Sequence, residues 1–256
     1  MLKNFFFIIL FSIISYCRVD AQIINENHVF EVGEEFTLDA YYNVGFLWFK
    51  VGVATFSVSE YNNNYVFTVT AKNLPKWDWL YEVRTHHEAS CTKDMKPLYM
   101  KCQVFEKGVY YEDQYVYEDK TDHHLLKRHR VMNNTSYDTI FSMPHEVHDI
   151  INSIYVARNV DFTENEGKNL PFYPLFGNQV HRMLGSLIGK EKITTKDGVT
   201  YNCDKYTAYV GPGTIVDKDP VYVYLTDDGK MIPVLIEAKL SIGYVKVYLH
   251  SVKLRK

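Results

Sequence analysis

The sequence lacks most of the features that would identify a chemistry directly. It has no Gly-x-Ser-x-Gly nucleophile elbow and no His-Glu-x-x-His helix, so two readily recognised hydrolase signatures are missing. Gly185-Ser186-Leu187-Ile188-Gly189-Lys190-Glu191 has three residues between its glycines where a phosphate loop has four, and Glu191 where Ser or Thr would hold magnesium. Nucleotide binding is therefore not expected, and the stretch reads as strand. No sustained run of Lys and Arg occurs, and the formal net charge is −3, which argues against nucleic acid as a partner. Beyond the N-terminus no apolar stretch approaches the length of a membrane-spanning helix. Proline and glycine are few, 8 and 13 residues, and no linker or repeat interrupts the chain, so one domain over 22–256 is expected.

The N-terminus reads differently. Lys3 gives a short positive region, and Phe5 to Ile14 is apolar apart from Ser12. Val19-Asp20-Ala21 then places small residues at −3 and −1. This is the pattern of a secretory signal peptide over 1–21, cleaved after Ala21, and it implies export to the periplasm or cell envelope. Cys17 sits where a lipoprotein would be modified, but the bulky Tyr16 precedes it, which argues against lipidation. Export would expose Cys91, Cys102 and Cys203 to oxidising conditions. Cys91 and Cys102 flank a turn at Asp94–Pro97 and form the candidate disulfide, given a Cα separation within about 7 Å. Cys203 reads as a buried strand thiol.

The rest of the chain has β composition, with 21 Tyr and 15 Phe. Phe36, Leu38, Ala40 and Tyr42 alternate with polar residues, Phe46–Val58 is a long strand in which Gly52 marks a bulge or bend, and Asn62–Asn64 is a turn before Tyr65–Ala71. Further strands are expected at Tyr99–Phe105, Tyr110–Tyr117, His124–Val131, Gln179–Thr195, Thr200–Val210, Val221–Leu225, Ile232–Leu240 and Tyr244–Val252, with a short helical turn at Pro75–Tyr81. The fold class is mainly β: an antiparallel, strongly curved or open barrel-like sheet packed around one α-helix at about 143–158.

That helix carries the candidate site. Ser142 reads as its N-cap and Pro144 as a first-turn residue. Val147, Ile150, Ile151, Ile154 and Tyr155 form one apolar stripe, with His145, Asp149 and Asn152 on the opposite, solvated side. His145 and Asp149 at i and i+4 resemble a metal pair, but zinc needs three or four ligands and the order His-Glu-Val-His has the wrong spacing, so no metal is expected. Arg158 admits two readings: a cap on the last carbonyls, or a buried partner of a carboxylate such as Glu34 or Glu237. Asp149, Tyr155 and Arg158 are the candidate binding residues. The basic stretch Asp122–Arg130 reads as a solvated edge hairpin, and the sequons at Asn133–Ser136 matter only in a host that glycosylates exported proteins.

Three stretches together resemble a bacterial exported-protein family known as domain of unknown function 3108. They are Phe30-Glu31-Val32-Gly33-Glu34-Glu35-Phe36 leading into Tyr41–Ala54, then Asp149-Ile150-Ile151-Asn152-Ser153-Ile154-Tyr155-Val156-Ala157-Arg158, then Tyr224–Pro233 through Ile242-Gly243. The resemblance spans almost the whole chain after the signal peptide. It implies a β-rich, envelope-associated protein and supplies no catalytic residues. Three functions stay open. The first is a lipid, other apolar ligand or envelope partner bound on a concave, aromatic-rich β surface. The second is an envelope hydrolase using Asp149 and His148. The third is a purely structural assembly role. No cofactor is expected for any of them.

Overall fold

A computed structural model describes residues 27–120, 123–143, 146–162, 169–176, 179–210, 219–240 and 243–254. The signal segment 1–21 and its cleavage site, and with them Cys17, lie outside the described residues, as do Pro144 and His145. The chain opens as a meander of eight strands: β1 (Glu35–Val44), β2 (Leu47–Tyr61), β3 (Asn64–Asn73), β4 (Val83–Cys91), β5 (Pro97–Glu106), β6 (Val109–Asp119), β7 (His124–Met132) and β8 (Thr135–Met143). The short β9 (His148–Asp149) leads into the helix α1 (Ile150–Arg158). Then follow β10 (Leu170–Phe172), β11 (Pro174–Phe176), β12 (Gln179–Val180), β13 (Met183–Thr194), β14 (Thr200–Val210), β15 (Val221–Thr226), β16 (Pro233–Lys239) and β17 (Tyr244–Lys253).

Fourteen strands form one antiparallel sheet in the order β10-β13-β14-β15-β16-β17-β1-β2-β3-β4-β5-β6-β7-β8, and β12, β11 and β9 form a small second sheet. Among the described residues β10 and β8 have one neighbour each, so the large sheet is curved but not closed into a barrel.

Local chemistry explains much of this. Asn62 and Asn63 (φ 49° and 62°), and Asn133 and Asn134 (φ 51° and 60°), are left-handed pairs at two-residue hairpin turns. Asn tolerates that region better than other side chains, and turns of this hand match the strand twist. At Gly52 the β1–β2 register shifts, which is the expected bulge. A Cβ there would lie 2.9 Å from the Lys72 carbonyl oxygen, so glycine lets β3 approach while the sheet bends. Pro233 opens β16, the position where its missing N–H costs no ladder bond.

The helix is shorter than expected. Ser142 is a residue of β8, and His148–Asp149 is extended and pairs in parallel with Pro174–Leu175. Asp149 is the N-cap, its side chain accepting from the backbone N–H groups of Ile151 and Asn152, each at 2.9 Å. Asp satisfies a first turn as well as Ser does, and strand pairing holds the preceding residues extended. The expected solvated face is also overturned, because Asp149 and Asn152 are fully buried. The helix runs inside the curve of the sheet, with chain on more than one side of it.

The Asp122–Arg130 stretch is corrected as well. The edge strand is β8, and β7 lies one place in from it. Leu126 and Arg128 on the inner face of β7 are buried.

Candidate functional site

Arg158 resolves as a buried pair. Its Nη1 donates to Glu34 Oε1 at 2.6 Å and its Nη2 to Glu34 Oε2 at 2.9 Å, a bidentate fork, while Nη2 also donates to the Lys230 carbonyl at 2.8 Å. Phe30, Phe36 and Tyr155 surround the guanidinium, with ring centroids 5.4–5.8 Å from Cζ. Glu34 sits in the turn before β1, where the Val58 N–H donates to its backbone carbonyl. The pair therefore ties the end of α1 to the start of the sheet. Glu237, the other carboxylate considered, accepts instead from Tyr224 and pairs with Lys246.

Asp149 is enclosed. Beyond the two cap bonds it accepts from Asn152 Nδ2 at 2.5 Å and the Tyr117 hydroxyl at 3.2 Å. Burial raises its pKa, against the cap hydrogen bonds that lower it. His148 Nε2 lies 2.9 Å from Glu146 Oε1 but is not aligned for a hydrogen bond. Neither Asp149 nor His148 lines either of the two internal cavities described below. Both oxygens of the carboxylate are occupied in holding the helix.

The disulfide considered between Cys91 and Cys102 is not formed, and both thiols are free and buried. The register explains why: Cys91 faces Pro97, whereas Cys102 faces His87, four positions along the same strand. At about 3.3 Å per residue that offset exceeds the reach of a disulfide. Burial pushes both thiols up to about 12, so they are protonated and poorly nucleophilic at neutral pH.

The space inside the curve is divided by α1. Ile151, Tyr155 and Val156 pack with Phe67, Ala89 and Cys91 of β3 and β4. Ile150, Ile154 and Ala157 face the other way, toward Phe36, Leu38 and Phe56 and toward Val223 and Ile236 of the C-terminal strands. Between them lies a cavity of about 210 Å³, closed on another side by Phe162 and Phe172. A Cβ on Gly185 would meet Phe172 at 2.9 Å and Phe162 at 3.4 Å, so glycine there lets both rings settle over the sheet. Of the three candidate binding residues only Arg158 borders this cavity. Tyr155 and Asp149 form the part of the helix that faces away from it.

A second, more polar chamber of about 350 Å³ lies on the other side of Ile150. Its wall includes His87, Cys102 and Asp113, which are register neighbours across β4, β5 and β6. Asp113 Oδ1 accepts from Arg128 Nε at 2.8 Å, and Arg130 Nε stands 3.8 Å away. Burial, reinforced by His86, lowers the His87 pKa from 6.5 to about 4. The folded chain therefore keeps this imidazole neutral at pH values where the unfolded chain protonates it. Its effect on stability is absent above pH 6.5, and stability is lost as pH falls from there toward 4. His87→Leu is accordingly expected to flatten the fall in melting temperature between pH 6.5 and 4.5. A variant whose melting temperature falls as steeply as the parent's would refute this.

The model of a family described as "Protein of unknown function (DUF3108)" matches residues 37–250. This chain belongs to the DUF3108 family. No curated protein matches it in sequence. The β-barrel-like DUF1849 protein of Brucella abortus is similar in structure, with a TM-score of 0.64 at 7% identity, covering 89% of the DUF3108 chain and 100% of its own. At that identity the likeness is one of fold. Two more solved structures are similar more loosely. A Bacteroides fragilis protein named for export and a YmcC-like fold has a TM-score of 0.31 at 11% identity, and a Parabacteroides distasonis protein named as a lipoprotein has 0.32 at 13%. Each covers 88% of this chain and 97% of its own; scores this low carry no argument.

In this DUF3108 chain the residues that enclose space are those a sequence reading assigns to the core. Ile150 and Ile154 were legible as part of a stripe. Their division from Ile151 and Tyr155 depends on two different walls of sheet, and the sequence around the helix shows only one apolar face.

Proposed function

We propose that the protein is an exported, non-enzymatic carrier or receptor for one apolar chain, such as a lipid acyl group, held between α1 and the C-terminal half of the sheet. The observation that carries this reading is the cavity bounded by Ile150, Ile154, Ala157, Phe36 and Phe172. An engineered apolar cavity of about 150 Å³ stays dry and binds benzene, whereas sites for drug-sized ligands run from about 300 Å³. A volume of about 210 Å³ suits a narrow apolar segment better than a bulky headgroup. The signal pattern over 1–21 supports export, and no described helix is long and apolar enough to cross a membrane.

Native mass spectrometry of the protein purified from its own host is expected to show a co-purifying lipid, displaced by an environment-sensitive fluorescent fatty acid. Ala157→Phe places a ring in the cavity from its helical wall. It should weaken probe uptake about tenfold or more while leaving the far-ultraviolet circular dichroism unchanged, since filling this space removes the ligand's contact surface. An apo mass together with no probe uptake by the parent would reject the reading.

A further inference from the structure

We propose that one end of the large sheet is a docking surface for a lipid bilayer, with exposed aromatic side chains seated at headgroup level. The β1–β2 turn, the segment between β3 and β4, and the β5–β6 turn all lie at this end, because β2 begins, β3 ends, β4 begins and β5 ends there. Phe46 is 89% exposed, Trp79 79% and Leu80 62%, and Tyr110, Tyr81 and Trp48 are exposed beside them. Among the described residues the opposite end exposes fewer large apolar side chains, chiefly Tyr61, Val199 and Val252. Monomeric proteins rarely leave such a patch uncovered without a use for it.

Several rings at this end are anchored by neighbouring elements. Lys246 lies over the Trp48 ring, Phe49 packs edge-on against Trp77 at 5.8 Å, the Trp77 indole donates to the Lys50 carbonyl at 2.9 Å, and Lys107 lies 4.4 Å from the Tyr81 ring centroid. Trp48, Trp77 and Tyr81 are thus held by β17, β2 and the β5–β6 turn respectively. Phe46, Trp79 and Leu80 are more exposed than these anchored rings.

Composition selects the occupant. Trp and Tyr with lysines among them are the residues that settle at a membrane–water interface, where an amphipathic ring and a snorkelling ammonium are both satisfied. A protein partner would be met by an apolar centre depleted of lysine, whereas Lys76, Lys107 and Lys246 sit on the rings themselves. The same end holds Phe172, Met183, Ala208 and Ile236, wall residues of the apolar cavity. Docking this way would turn that side of the cavity toward lipid. The docking surface does not depend on the cavity being a binding site.

The test is co-sedimentation of the full exported chain with vesicles of phosphatidylethanolamine and phosphatidylglycerol, followed by tryptophan fluorescence. Binding is expected, with a blue shift and with quenching by lipids brominated near the headgroup. Phe46→Ser combined with Trp79→Ser should reduce partitioning about tenfold or more, since both side chains lose their apolar contact. Ala157→Phe should dock as the parent does, so a failed cavity reading and a failed docking reading are distinguishable. Absence of parent binding to vesicles of either charge overturns the proposal, as does equal binding by the double variant. Capture of an envelope protein through this surface in the absence of lipid also overturns it.

Discussion

Arg158→Ala is expected to lower the unfolding free energy by about 3–5 kcal/mol, because it strands the Glu34 carboxylate among Phe30, Phe36 and Tyr155 with no cation beside it. Both groups are within 2% of full burial, so solvent neither replaces the missing partner nor screens the charge left behind. Arg158→Met with Glu34→Leu removes both charges and keeps apolar bulk. It should recover most of the loss, since buried ion pairs exchange for apolar packing at little net cost. Urea unfolding of Arg158→Met, Glu34→Leu and the double variant forms the cycle that measures this coupling. A loss within about 0.5 kcal/mol for Arg158→Ala, the range of surface changes, would show that the fork is not buried in solution.

The second large effect lies one turn back along the helix. Tyr155 is fully buried, its ring stacked on Phe67 with centroids 3.9 Å apart and edge-on to Phe30 at 5.2 Å. Tyr155→Ala should cost about 3–5 kcal/mol, the range for removing a large aromatic from a core. Tyr155→Phe should behave in the opposite way. The hydroxyl is buried with no hydrogen-bond partner among the described residues, so its removal relieves a desolvation penalty and leaves the stack intact. Equal or higher stability is expected for the phenylalanine variant in thermal unfolding. A loss above about 1 kcal/mol, the usual net worth of a hydrogen bond, would mean that the hydroxyl has a partner in solution.

Strands and turns were the most legible part of the fold. The meander over residues 35–71 and the closing strands near 221–252 follow from alternation and from Asn-Asn and Asp-Gly turns, because both signals are local. Strand β4 is not legible in the sequence, because Arg84 to Glu88 lacks apolar alternation and its half-buried His87 reads as polar. The helix start was misplaced for a related reason. Ser142-x-Pro144 and Asp149 are both sound caps by local chemistry, and the pairing of His148–Asp149 with Pro174–Leu175, 26 residues away, decides between them. Arg158 was read as either a cap or an ion pair, and Glu34 lies 124 positions away in sequence. The disulfide failed on a four-residue register offset, a quantity that the spacing between cysteines does not contain.

The place of β17 beside β1 sets an order of events for assembly. Strands β1 to β8 pair with their sequence neighbours, so that half can zip up as the chain emerges, each turn closing a short loop. The other flank of β1 must wait, because its partner β17 pairs Glu35 with Lys253, far later in the chain. Until β17 arrives, β1 shows a row of unpaired amides, a template for any extended chain nearby. A nascent chain stalled before β17 would therefore be a natural client for a holdase chaperone.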